Sequence, residues 1–180
     1  YQKDGPDQLD VTRPIAKERI VSLFSNKPTT GKPGEKMQYT NSGYYLLGLI
    51  IEKLTGKPFE TVIRERFLTP LRMTQTGFDF INLKRSGKTV GYTYQKDSIL
   101  VAESPIDSTV GYAAGGMYST VGDLYRWAQA IQANRFLSTT DWQRAFTPIG
   151  KTTWGYGWGI NTFKGNKTLA IQNGNLPGYA

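Results

Sequence analysis

The longest apolar run of the chain, residues 44–51, constrains the fold more than any other feature. A helix of that length is far too short to cross a bilayer, but it fits the interior of a protein. Gly56 and Pro58 follow the run and provide a stop signal. Because the run is apolar on nearly all sides of a helix, the sequence predicts a buried helix rather than an amphipathic one.

Apolar periodicity and capping residues predict four further helices. They are expected to begin near Pro14 with Thr12 as a possible cap, at Pro58, at about Thr120 and after Ser138.

Alternating apolar residues predict two pairs of short strands. The first pair lies within residues 88–103, around a turn at residues 96–98. The second pair consists of residues 155–163 and 168–172, around a turn at residues 164–167.

Together these elements predict an α+β fold. Residues 1–150 form a largely helical region, and residues 151–180 form a hairpin that belongs to the antiparallel sheet of an α/β domain. A lone hairpin is marginal in water and leaves its edges unpaired, so it needs further strands. We therefore expect the sheet to be incomplete in these 180 residues and the chain to be an internal fragment of a longer protein.

The composition excludes several kinds of chemistry. The 180 residues include no His and no Cys. They therefore provide no disulfide, no thiolate nucleophile, no Ser-His-Asp triad and no His or Cys ligand for a metal. Any hydrolytic reaction within these residues must take its base from Tyr, Lys, Asp or Glu.

The net charge of +8 suggests an anionic partner at first sight. The 22 Lys and Arg residues are spread along the whole chain and form no dense basic block. We interpret them as a solvated surface and expect no nucleic-acid partner.

Tyr39 and Asn41 directly precede the apolar run and allow two interpretations. In the simpler one, which the spacing alone favours, Tyr39 packs against the helix and Asn41 caps it. In the other, the phenol and the amide both face a cleft at the start of the helix. There Tyr39 could carry a proton and Asn41 could hold a substrate carbonyl.

Five segments, taken in order, resemble the serine β-lactamase family, which includes class C β-lactamases, D-Ala-D-Ala carboxypeptidases, D-aminopeptidases and esterases. They are MQYTNSGYYLLGLIIEKLTG at residues 37–56, PLRMTQTGF at 70–78, AGGMYSTVGDL at 114–124, GYGWG at 155–159 and GNLPGY at 174–179. Arg72 stands where the family usually has Gly. The resemblance implies a β-lactamase/transpeptidase-like fold and acyl transfer by a serine nucleophile.

In that family the nucleophile belongs to an S-x-x-K motif that lies well before the Y-x-N segment. No S-x-x-K occurs in this sequence, and the nearest form, TTGK at residues 29–32, lies in a loop rich in Pro and Gly. The resemblance therefore implies that the Ser and its Lys lie outside this chain, which alone is expected to be inactive. Within the chain it makes Tyr39 and Asn41 the catalytic residues.

The third motif of the family usually begins with Lys, His or Arg, and the matching positions here are Gln172, Asn173 and Gly174. The resemblance makes these residues and Asn175 the substrate-binding group, with the backbone N–H of Asn175 in the oxyanion hole. A neutral Gln172 provides no charge for a substrate carboxylate. This departure favours esters, amides or peptides over β-lactams.

The resemblance further implies a small-molecule or peptide substrate, no cofactor or metal, and a periplasmic or secreted location. The remainder of the same polypeptide is the expected partner, and membrane association is left open. The alternative is a non-catalytic peptide- or cell-wall-binding protein on the same scaffold. An S-x-x-K motif in the rest of the polypeptide would favour the enzyme.

Overall fold

The computed structural model describes residues 9–84, 87–95, 98–163 and 167–179. In these ranges the α-helices are α1 (Lys17–Ser22), α2 (Asn41–Thr55), α3 (Phe59–Ile63), α4 (Ser108–Gly111), α5 (Val121–Gln132) and α6 (Thr139–Ala145). Two antiparallel hairpins are formed by β1 (Tyr92–Gln95) with β2 (Ile99–Ala102), and by β3 (Gly159–Phe163) with β4 (Lys167–Ile171). The predicted α+β class is confirmed.

The chain divides into two compact units. The first contains the described residues up to Thr120 together with those from Asn175, and the second contains Val121–Gly174. The predicted division into residues 1–150 and 151–180 concerns the domains of the whole fold and stays a prediction.

The core of the first unit is aromatic and forms around α2. Tyr45 of α2, Phe59 of α3 and Tyr112 of a 3-10 turn are buried together with Ile20 and Phe78. The ring centroids of Tyr45 and Tyr112 lie 4.7 Å apart, and those of Phe59 and Tyr112 lie 5.1 Å apart. At such separations aromatic rings stabilise each other beyond the burial of their surface.

Gly48 allows α2 to approach this core closely. A Cβ atom at position 48 would lie 2.5 Å from Cε1 of Tyr112 and 2.6 Å from Cβ of Ala113. Carbon atoms in contact are normally about 3.5–4.0 Å apart, so a larger residue would displace the 3-10 turn. The glycine therefore sets the distance between α2 and the Tyr112 ring.

Glu52 links α1, α2 and α3. Its carboxylate accepts a hydrogen bond from Nζ of Lys17 at 2.7 Å and another from the backbone N–H of Phe59 at 2.7 Å, at the start of α3. Burial raises the pKa of Glu52, but these hydrogen bonds outweigh burial and the pKa is lowered overall. Burial, and secondly the Glu52 carboxylate, raise the pKa of Tyr112.

Two of the family-like segments pair with each other in the first unit. The backbone N–H of Gly77 donates to the carbonyl of Tyr118 at 3.1 Å, and the N–H of Tyr118 donates back to the carbonyl of Gly77 at 2.8 Å. Next to them, the buried Thr76 hydroxyl lies 2.8 Å from the hydroxyl of Ser119. Contacts within the fold therefore account for the residues of these two segments.

Arg72 adopts a left-handed backbone conformation, with φ of 54°. Its N–H donates to the carbonyl of Thr69 at 3.0 Å, and the N–H of Met73 donates to the carbonyl of Leu68 at 2.8 Å. This is the Schellman pattern of a helix end, in which the left-handed residue is usually Gly. The position where this chain departs from the family pattern is therefore one where a side chain is strained.

The second unit contains α5, α6 and the hairpin β3–β4. Trp142 of α6 is buried, and its ring stacks on Phe146 at 5.4 Å. The Phe146 ring in turn meets Trp158 edge-on at 5.5 Å. Ser138 caps α6 as predicted, since its hydroxyl accepts a hydrogen bond from the N–H of Asp141 at 3.1 Å.

The prediction that α2 is buried is only partly correct. Tyr45 and Gly48 are buried, but one side of the helix is 40–80% exposed and consists of Leu46, Leu47, Ile50 and Leu54. These four residues, spaced for one side of a helix, form the apolar face of α2. The described residues of the first unit bury the opposite side of the helix, at Tyr45 and Gly48.

Two other local predictions are wrong. Thr12 does not cap α1, which begins after Ala16, because its hydroxyl donates to Asp10 instead. The strand predicted from residue 155 begins at Gly159, because Gly157 is left-handed (φ of 79°) and residues 155–158 close a turn.

Of the predicted hairpin turns, residues 96, 97 and 164–166 lie outside the described residues. Across the ranges that the structure does describe, no helix has both the length and the apolar character needed to span a membrane.

Candidate active site

Tyr39 and Asn41 lie next to each other at the start of α2. The Oη atom of Tyr39 donates a hydrogen bond to Oδ1 of Asn41 at 3.0 Å. Tyr39 is 52% exposed, and Asn41 is exposed as well. The phenol and the amide therefore face the same part of the surface, where a substrate could reach both.

Thr40, and not Asn41, caps α2. Thr40 has an extended backbone, and its hydroxyl accepts a hydrogen bond from the N–H of Ser42 at 3.1 Å. Asn41 is the first residue of the helix, so the interpretation of Asn41 as the cap is wrong. The cap was missed because Thr and Asn are both favoured caps and stand side by side. With the cap provided by Thr40, the Asn41 amide is directed to the Tyr39 phenol.

Tyr44 flanks this pair. Its ring centroid lies 5.7 Å from that of Tyr39, with the ring planes tilted by 42°. Burial, and secondly the neighbouring phenol of Tyr39, raise the pKa of Tyr44. Tyr44 therefore remains protonated at neutral pH, and its ring supports the side of Tyr39.

The residues predicted to bind substrate follow β4 in an irregular, exposed segment. β4 ends at Ile171, one residue earlier than predicted, so Gln172 lies just beyond the strand. Gln172, Asn173 and Gly174 belong to the second compact unit, whereas Asn175 belongs to the first, as do Tyr39 and Asn41. The assignment of residues 172–175 to the same site as Tyr39 stays a prediction.

Acidic side chains do not form a metal site in the part of the chain that the structure describes. No group of three or more potential ligands lies close enough together there to hold an ion.

The comparison with protein families agrees with the five segments. The β-lactamase family model matches residues 1–180. The chain therefore belongs to the β-lactamase family, and the resemblance seen in its sequence is confirmed.

Individual proteins of known name are similar to this chain over part of their length. Penicillin-binding protein 4* of Bacillus subtilis (strain 168) is 29% identical over 181 residues, which cover 89% of this chain and 40% of that protein. A penicillin-binding protein homologue from Pyrococcus abyssi, solved as an octamer, has a TM-score of 0.77 and 27% identity, with 92% of this chain and 39% of that one covered.

A D-stereospecific amidohydrolase from Streptomyces sp. is similar in fold. Its TM-score is 0.81 at 19% identity, and the match covers 93% of this chain and 52% of that one. The chain thus spans about half, or less, of the length of these proteins. The fold is that of the β-lactamase/transpeptidase group, and the family is one of serine hydrolases.

Proposed function

We propose that residues 1–180 form part of a serine hydrolase that transfers the acyl group of an ester, amide or peptide through an acyl-enzyme. The observation that carries this proposal is the 3.0 Å hydrogen bond between Tyr39 and Asn41 on the exposed start of α2. Neither side chain is needed there to cap the helix, because Thr40 does so. A phenol and an amide held together at a surface are suited to proton transfer and to binding a carbonyl.

In this mechanism Tyr39 carries the proton between the nucleophile and the leaving group. Asn41 binds the acyl portion of the substrate through its amide. The Oδ1 atom of Asn41 accepts the hydrogen bond of the phenol, so the Nδ2 group of the same amide can donate to a substrate carbonyl.

The nucleophilic Ser and its Lys are supplied by residues outside 1–180. The absence of S-x-x-K from the sequence and the share of 40% that the chain covers of the Bacillus protein support this proposal. The apolar face of α2 supports it too, because four apolar side chains on one side of a helix favour burial. We propose that the remainder of the same polypeptide covers this face.

Gln172, Asn173 and Gly174 contact the substrate, and the backbone N–H of Asn175 stabilises the oxyanion of the tetrahedral intermediate. The neutral Gln172 offers hydrogen bonds but no charge to a substrate. We therefore propose that the protein prefers substrates without a carboxylate at this position, such as esters or neutral amides. The amide hydrolase among the proteins of similar fold supports this choice.

The test uses the full polypeptide and two probes, a chromogenic ester and a fluorophosphonate. We expect turnover of the ester, a mass increase of one fluorophosphonate adduct, and an adduct that maps to a Ser outside residues 1–180. Hydrolysis of a cephalosporin should be slower than that of the ester. Absence of both turnover and adduct, together with retained binding of a peptide ligand, would instead support a non-catalytic binding protein.

A further inference from the structure

The residues directly after Asn175 form a closed turn. The N–H of Tyr179 donates to the carbonyl of Leu176 at 2.8 Å, and the N–H of Leu176 donates to the carbonyl of Tyr179 at 3.0 Å. Pro177 and Gly178, the latter with φ of 78°, occupy the two central positions, as in a type II turn. Both backbone polar groups of Leu176, the neighbour of Asn175, are therefore held in place.

This turn is docked on the segment that leads into β1. The N–H of Tyr92 donates to the carbonyl of Gly178 at 3.1 Å, and the hydroxyl of Tyr179 donates to the carbonyl of Thr89 at 3.2 Å. The Tyr179 ring also meets the ring of Phe80 edge-on, with centroids 6.1 Å apart. Three separate contacts thus join the turn to Phe80, Thr89 and Tyr92.

The two backbones approach so closely that both contact residues must be glycine. A Cβ atom on Gly91 would lie 2.5 Å from Cε2 of Tyr179 and 3.0 Å from the carbonyl carbon of Gly178. A Cβ atom on Gly178 would lie 2.7 Å from the carbonyl carbon of Gly91 and from the nitrogen of Tyr92. Any side chain at either position would push the turn away from β1.

We propose that this contact between Gly91 and Gly178 positions the backbone N–H of Asn175 for the reaction. Gly91 and Gly178 are thus positioning residues, and Tyr179 holds the turn against them. The inference rests on the proposed function, which places the Asn175 N–H in the oxyanion hole. Loss of one such donor lowers kcat by about 100- to 1,000-fold, and a displacement of about 1 Å can be similarly costly.

The first test is Gly91→Ala in the full polypeptide, assayed with a chromogenic ester and with a boronic acid that forms a tetrahedral adduct. We expect kcat to fall by about 10- to 100-fold, with KM changed by less than about threefold. Inhibition by the boronic acid should weaken in parallel with the loss of kcat/KM, because the adduct needs the same donor.

Gly77→Ala is the matched control. A Cβ atom on Gly77 would lie 2.7 Å from Oη and 2.9 Å from Cζ of Tyr118, so it also crowds a tyrosine ring of the first unit. This variant is expected to lower the melting temperature without changing kcat or boronic acid affinity of the folded protein. Equal kinetic losses in the two variants would show that Gly91 has a purely structural role.

Tyr179 provides a test that adds no atoms, in case Gly91→Ala does not fold. Tyr179→Leu removes the ring contact with Phe80 and the hydrogen bond to Thr89, so kcat should fall about tenfold with KM retained. Tyr179→Phe keeps the ring and loses only the hydrogen bond to Thr89, so its kcat should fall less than that of Tyr179→Leu. Unchanged kcat in Tyr179→Leu would overturn the positioning role.

The outcomes also separate this inference from the proposed function. A wild-type protein that hydrolyses the ester while the Gly91 and Tyr179 variants keep its kcat would contradict the positioning role alone. A wild-type protein without turnover or adduct would contradict the proposed function, and with it the reaction that the docked turn is proposed to serve.

Discussion

The start and the middle of α2 belong to the same family-like segment, yet the structure uses them differently. At the start, Tyr39 and Asn41 are exposed and bonded to each other. In the middle, Tyr45 and Gly48 are buried against Tyr112. One family-like segment therefore contains buried residues that pack the core and exposed polar residues that a substrate could reach. The difference in exposure distinguishes the two groups.

The largest expected effect comes from the start of the helix. Tyr39→Phe in the full polypeptide should lower kcat/KM for an ester by about 100- to 10,000-fold, because it removes the proton carrier. The melting temperature should hardly change, since the Tyr39 ring is about half exposed.

Tyr44→Phe is the control for that change, because the Tyr44 ring lies beside Tyr39 and the phenol has no part in the proposed reaction. Its kcat/KM should stay within about threefold of the wild type. Equal losses in the two variants would mean that the region tolerates no change, and would remove the specific role of Tyr39.

Substitutions in the middle of the helix should change the stability of the protein. Gly48→Ala should lower the free energy of unfolding by about 3 kcal/mol, because its Cβ would overlap the Tyr112 ring. In the same helix, the Cβ atom of Gly43→Ala would lie 3.7 Å from the Thr40 side chain, which is ordinary contact. This variant should raise the free energy of unfolding by about 0.5 kcal/mol, because Ala has a higher helix propensity than Gly. Urea unfolding followed by circular dichroism measures both, and similar effects would contradict the close approach of α2 to the core.

Glu52 should make the stability of the protein depend on pH. Its pKa in the fold is lowered from the ordinary 4.5, so the ionised carboxylate stabilises the protein above that pH and stops doing so as the pH falls through the folded value. Glu52→Gln should therefore cost about 2 kcal/mol at pH 7 and progressively less below pH 4.5.

Glu65→Gln is the control for Glu52, since Glu65 pairs with Lys57 at the surface, where both side chains are about half exposed. Exposed pairs contribute at most about 1 kcal/mol, so this variant should change stability little at either pH. Unfolding curves at several pH values measure the difference, and parallel curves for Glu52→Gln and the wild type would contradict the role of the carboxylate.

The smallest effect is expected outside α2, at the residue that departs from the family pattern. Arg72→Gly should raise the free energy of unfolding by about 1 kcal/mol, because Gly adopts the left-handed conformation without strain. Arg72→Ala keeps the strain and should give no such gain. A gain of the same size in both variants would assign the effect to the arginine side chain and not to the backbone.

Much of the local structure could be predicted because its causes are local. The cap at Ser138, the stop of α2 after Thr55 and the pairing within each hairpin follow from neighbouring residues. Errors arose where two local signals competed, as for the cap at Thr40 or Asn41, or where glycines bent an apparent strand, as at Gly157.

At the candidate site, too, the sequence alone left competing interpretations open. The sequence identified Tyr39 and Asn41 through a motif, but it left open whether Tyr39 packs and Asn41 caps the helix or whether both face a cleft. The cap at Thr40 excludes Asn41 as the cap, and the hydrogen bond between the two side chains places the Asn41 amide beside the phenol. The apolar face of α2 was not foreseen, because an apolar residue looks alike in sequence whether or not a partner covers it.

By itself the sequence determined the family, the α+β class and the residues available for chemistry, because residue types, periodicity and motif order are read along the chain. The tertiary structure decided why Gly48 must be glycine, why the turn at Gly178 meets Gly91, and how Gly77 pairs with Tyr118. Each of these depends on two segments, distant in sequence, that come within van der Waals contact. Such distances are set by the packing of the whole unit and leave no pattern in either segment alone.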